Sequence, residues 1–179
     1  SRRVLGVIRP TAECIGQISH TRHVGIFATP GTIRSHTYEL EIAKLHPDIK
    51  VTGVPCPMWV PLVENNEADK PGADYFVRQK IDEMFLIDPA IDSIILGCTH
   101  YPLLIDKIRR FAPKGVTIIP QGDYVARSLQ NYLQRHTDME ARLTQGGTLR
   151  LLTTEQPHQF NENASIFLHQ NVKAERIVL

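Results

Sequence analysis

Short β-branched runs alternate with stretches of 3.6-residue apolar period along almost the whole chain, and this alternation limits what it can fold into. Candidate strands are residues 4–8, 23–29, 50–54, 92–97, 116–120, 148–154 and 172–179. Between them, Leu104, Ile108 and Phe111 share one helix face, as do Val125, Leu129 and Leu133. Thr29-Pro30 supplies an N-cap and a first-turn proline for a helix running towards His46. Such alternation implies an α/β fold, a mostly parallel sheet with helices on both faces. Ile94, Ile95 and Leu96 are apolar without alternation, as a central strand requires, whereas residues 172–179 interleave Lys173, Glu175 and Arg176 and suit an edge. Residues 65–72 and 134–147 are polar and read as surface connections.

Composition narrows the function. The 179 residues suit one medium domain or one and a fraction, with 42% hydrophobic and 22% charged residues. A net charge of +1 without a dense Lys/Arg run argues against a nucleic-acid or membrane-surface partner. No apolar stretch approaches the ~20 residues of a membrane helix, so a soluble protein is expected. Residues 4–8 are too short for a signal-peptide core, and a first residue of Ser points to a processed or truncated product. Cys14, Cys56 and Cys98 are odd in number, widely spaced and lack a CxxC pair. They fit a reducing, cytoplasmic setting rather than a disulfide scaffold or structural zinc.

In an open α/β sheet, ligands bind beyond the carboxyl ends of the strands. Gly97-Cys98-Thr99-His100-Tyr101-Pro102 puts a thiol there, followed by a helix with Pro102 in its first turn. The sulfur then faces the crevice, and helix-start amides favour its thiolate, shifting a free-thiol pKa of ~8.5 downward. His100 can hydrogen-bond or charge-pair with the sulfur, and Thr99 offers a hydroxyl and an N–H to a carboxylate. On the residues alone, three other readings stay open. Cys98 could be a small core residue, half of a metal site with no second ligand-spaced pair, or the nucleophile of a Cys–His hydrolase.

The run Gly97-Cys98-Thr99-His100-Tyr101-Pro102-Leu103-Leu104 resembles the second cysteine motif of glutamate racemases, in the aspartate/glutamate racemase superfamily. Gly6-Val7-Ile8 with Pro10, residues 25–35, residues 56–64 and Leu151-Leu152-Thr153-Thr154 resemble the same family in the same order. The resemblance implies a cofactor-independent, metal-free enzyme that converts L-glutamate to D-glutamate for bacterial peptidoglycan. Two opposed cysteines do the work, one removing the Cα proton and the other protonating the carbanion. A single base returning its proton to the same face would invert nothing. On this resemblance Cys98 is one of the pair, Thr99 and His100 contact substrate, His100 also serves Cys98 as proton partner, and Glu64 orients His100. The family's other cysteine motif, Cys-Asn-Thr, and its Asp-Ser-Gly and Tyr-Gly loops have no match here.

The expected organisation is therefore one Rossmann-like lobe over residues 1–119. Residues 120–179 then form the C-terminal part of a second lobe whose N-terminal segments are absent, which exposes apolar surface and favours a homodimer. The isolated chain is expected to be inactive. An aspartate or related racemase is the neighbouring possibility, and a non-catalytic binding module on the same fold is the alternative from another class. Pro120-Gln121-Gly122 departs from the Asp-Ser-Gly of the family at that point.

The remaining motifs take structural readings. Thr29 and Thr32 cap a helix, and Trp59 packs or walls the cleft. Cys14 is a small residue on a helix face, and Cys56 is a structural thiol near the cleft. His20, His23, His36, His46, His136, His158 and His169 form no ligand-spaced cluster, and Gly16, Gly25, Gly31 and Gly53 form no nucleotide-binding fingerprint.

Overall fold

The computed structural model describes residues 5–168 and 170–179, and it divides into two compact units, residues 1–132 and 133–179. His169 lies outside the described residues.

The first unit is built on a four-stranded parallel sheet of β1 (His23–Ala28), β2 (Lys50–Pro55), β3 (Ser93–Leu96) and β4 (Thr117–Pro120), in the order β2-β1-β3-β4. All four residues of β3 are buried, as its unbroken apolar run requires of a strand covered on both faces. Its register sets Leu96 opposite Phe27 on one side and Pro120 on the other. The chain leaves β1 in one direction to reach β2 and returns to the other side for β3. The switch in strand order therefore lies between β1 and β3, the position where open α/β sheets form a crevice. At Gly25 a side chain would collide with Met84 of the helix Gly72–Ile87.

Residues 5–8 do not form the strand expected over 4–8. Ile8 opens α1 (Ile8–Ile18), and Val4 lies outside the described residues. Ile8, Ala12 and Ile15 repeat at the helical period and join the core cluster beside Val24 and Ile42, while Pro10 would deprive a strand of a ladder donor. The helix expected from Pro30 to His46 is two helices, α2 (Pro30–Arg34) and α3 (Thr37–Leu45), broken where His36 takes a left-handed φ of 51°. Thr29 does cap α2, accepting from the Thr32 N–H at 3.3 Å.

Four further helices complete this unit. The short α4 (Trp59–Glu64) precedes α5 (Gly72–Ile87), which buries Ala73, Val77, Ile81 and Met84 on one stripe. After β3 a single 3-10 turn, Tyr101–Leu104, leads into α6 (Ile105–Phe111). The helix expected directly after Cys98 thus begins as a tighter turn. Finally α7 (Gly122–Arg135) follows β4.

In the second unit β5 (Leu151–Thr153) and β6 (Ala174–Arg176) pair in parallel, flanked by α8 (Thr137–Glu140) and α9 (Pro157–Leu168). Each strand is shorter than its β-branched run suggested, and each is an edge of this two-stranded sheet.

Candidate functional site

Cys98 stands one residue past Gly97 at the carboxyl end of β3, half-buried and facing a cleft of about 400 Å³. Gly97 is needed for close approach. A Cβ there would lie 3.1 Å from the Ala28 methyl and 3.2 Å from both the Phe27 carbonyl and the Tyr38 ring. Thr99, Gln121, Val125 and Pro102 line the same cleft. The walls are thus mostly apolar, with the thiol, a hydroxyl and an amide as polar points, a composition suited to orienting a small molecule.

The structure brings three of the residues singled out from sequence into a line. Cys98 Sγ is 3.8 Å from His100 Nδ1, and His100 Nε2 pairs with Glu64 Oε1 across 36 residues of sequence. With the Nε2 proton directed at the carboxylate, Nδ1 presents its lone pair to the thiol, so the ring can take up or return the sulfur's proton.

What positions Glu64 is an aromatic stack. Trp59, on the same short helix, is fully buried between Phe27 (ring centroids 4.8 Å apart) and Tyr101 (4.9 Å). Trp59 Nε1 donates to the Phe76 carbonyl at 3.3 Å, and Tyr101 OH donates to the Cys56 carbonyl at 3.1 Å. The same stack therefore braces α4, which carries Glu64, and the 3-10 turn that follows His100. Trp59 is a packing residue and does not wall the cleft.

The other two thiols play no part in this arrangement. Cys56 is buried, its Sγ 3.6 Å from the Val54 carbonyl, and burial pushes its pKa far up, which disfavours a thiolate. Cys14 sits half-buried on α1. Thr29 and Thr32 are occupied with each other, their hydroxyls 3.0 Å apart. Tyr38 and Gln121, which nothing in the sequence marked as site residues, also meet beside the cleft, Gln121 Nε2 donating to Tyr38 OH at 2.7 Å. Among the described residues no group of three or more His, Cys, Asp or Glu side chains could hold a metal ion, and no helix is long and apolar enough to cross a membrane.

No family model matches the chain. Individual relatives do. A glutamate racemase of Shouchella clausii is 37% identical over 166 residues, covering 93% of this chain and 59% of the relative. The crystal structure of glutamate racemase isoform RacE1 from Bacillus anthracis superimposes with a TM-score of 0.88 at 31% identity, covering all of this chain and 66% of that one. Glutamate racemase from Francisella tularensis, solved in complex with D-glutamate, gives a TM-score of 0.78 at 25% identity over 97% of this chain and 62% of that one. The chain spans about three-fifths of the length of the first curated relatives it matches.

Proposed function

We propose that this chain, which belongs to the glutamate racemase family, supplies one of the two proton-transfer faces of an enzyme interconverting L- and D-glutamate. The observation that carries the reading is the line from Cys98 through His100 to Glu64, opening on a cleft beyond the carboxyl ends of β3 and β4. A thiol with an adjacent base can remove a Cα proton as thiolate or deliver one as thiol. Thr99, at the cleft's mouth, offers its hydroxyl to the substrate carboxylate, and His100 both touches substrate and exchanges the proton of Cys98. Glu64 holds the imidazole in orientation. Two side chains acting as proton acceptor and donor need no cofactor. On this reading the enzyme works in the cytoplasm, and its D-glutamate feeds bacterial peptidoglycan. Residues 120–179 then belong with the lobe that brings the opposing thiol.

Inversion needs a second group opposite Cys98, and Cys98 is the only cysteine lining the described cleft. The test therefore uses the full-length protein carrying Cys98→Ala, given each enantiomer of glutamate in D2O. Circular dichroism should show no racemisation of either, while NMR shows Cα deuteration of one enantiomer alone, exchanged by the remaining thiol. Racemisation at the wild-type rate would overturn the assignment. The same assay on L-aspartate separates the glutamate reading from that of an aspartate racemase.

A further inference from the structure

We propose that Gln121 is a positioning residue for Cys98, its side-chain amide fixing the exit of β3 and so the place of the thiol in the cleft. The inference rests on the reading of Cys98 as the proton-transfer group. Gln121 follows the last residue of β4, and the register sets Pro120 opposite Leu96, the last residue of β3. Gln121 supplies a donor from its side chain, Nε2 reaching the Leu96 carbonyl at 3.1 Å, two residues before Cys98. The other Nε2 proton goes to Tyr38 OH at 2.7 Å, and Oε1 accepts from Thr11 Oγ1 at 3.0 Å.

Both amide protons and one lone pair of the amide oxygen are directed at three elements, β3, α3 and α1. The Leu96 carbonyl can only accept, which fixes the orientation of the amide. Thr11 and Tyr38 are both buried, so neither tie is shared with bulk water. Tyr38 closes the clamp from the other side, its ring lying against Gly97. The backbone entering Cys98 is thus gripped through Leu96 by the Gln121 amide and at Gly97 by the Tyr38 ring. A displacement of an ångström or less is enough to change how a reacting group meets its partner.

The test is the pH profile of Cys98 alkylation by iodoacetamide in the 179-residue chain, followed residue by residue by mass spectrometry, with Cys14 as internal control. Gln121→Met keeps the volume and removes all three bonds. It should move the Cys98 profile by about half a pH unit or more, equal to about a threefold change in thiolate fraction at a given pH. Thr11→Val removes one outer tie and leaves the Leu96 bond. It should lower thermal stability while leaving the Cys98 profile unchanged, and Cys14 should be unaffected in both variants. Should Gln121→Met fail to fold, Gln121→Glu keeps the shape and the Thr11 tie but turns an acceptor oxygen on the Leu96 carbonyl, and should move the profile likewise. A Gln121 variant whose Cys98 profile superimposes on the wild type overturns the proposal, as does a Thr11→Val shift equal to that of Gln121→Met. Racemisation is not the readout here. A full-length Cys98→Ala variant that still racemises would sink the functional reading, whereas this inference stands or falls on alkylation alone.

Discussion

The imidazole of His100 has two nitrogens with two different neighbours, and that division sets what each nearby side chain can contribute. Nδ1 faces the thiol at 3.8 Å and Nε2 faces the Glu64 carboxylate. Replacing Glu64 with Gln preserves the shape but removes the charge that, on the proposed function, steadies the ring when it carries the sulfur's proton. On the proposed function, kcat of the full-length protein should fall about 10- to 100-fold with KM little changed, consistent with loss of support for general acid–base catalysis. An unchanged kcat would remove Glu64 from the relay. Of this trio, Cys98 and His100 were legible as neighbours because they are two residues apart. Their pairing with Glu64 was carried only by the resemblance, since 36 residues intervene and only the packing of α4 against the turn after His100 closes the gap.

At the scale of elements, two devices hold the site. One is the aromatic stack. Truncating Trp59 to Ala deletes a fully buried indole and its bond to the Phe76 carbonyl, and should cost about 3–5 kcal/mol, measured by urea unfolding. The other is Asp92, just ahead of β3, which accepts from Ser19 Oγ at 2.7 Å, the His20 and Thr21 N–H groups and Ser93 Oγ. It anchors the loop after α1 to the strand leading to Cys98. Burial pushes the Asp92 pKa up, but these four donors outweigh it and hold the group at about 2. Asp88 behaves alike: burial is outweighed by His23, Lys50 and the Ala90 N–H, leaving it also at about 2. Each carboxylate therefore binds protons more readily in the unfolded chain, whose Asp pKa is ~3.9. Their stabilisation is fully present above about pH 4 and is lost as pH falls from there through about 2. The urea midpoint should drop across that window, and Asp92→Asn should flatten the drop. A midpoint independent of pH between 4 and 2 would contradict the assignment.

For the molecule as a whole, the cleft formed by the described residues is lined by one thiol, where the proposed inversion demands two opposed groups. The 179-residue chain by itself should therefore show no racemisation of glutamate by circular dichroism, and measurable turnover would overturn the single-face reading. The second unit exposes Leu152 on β5, Leu149 just before it, and Ile166 and Leu168 on α9. Apolar surface of this kind promotes association, so sedimentation of the isolated chain should show self-association that rises with concentration.

Legible in the sequence were the class of fold, the central position of β3 and the placing of a thiol beside an imidazole at Gly97–His100. Each of these is a local signal: an unbroken apolar run, a β-to-helix alternation, a thiol beside an imidazole. The sequence misjudged residues 4–8 because β-branched residues there outweigh a helical period that becomes visible only beyond Pro10. It also missed the break at His36, where one left-handed residue ends α2 and starts a new helix. What surrounds the thiol is set by contacts between residues far apart in the chain. Gln121 meets Thr11, Tyr38 and Leu96 from 110, 83 and 25 residues away, and Trp59 reaches Phe27 across the sheet. Such contacts are selected by the geometry of packed layers, which bring together residues whose spacing along the chain carries no trace of the meeting.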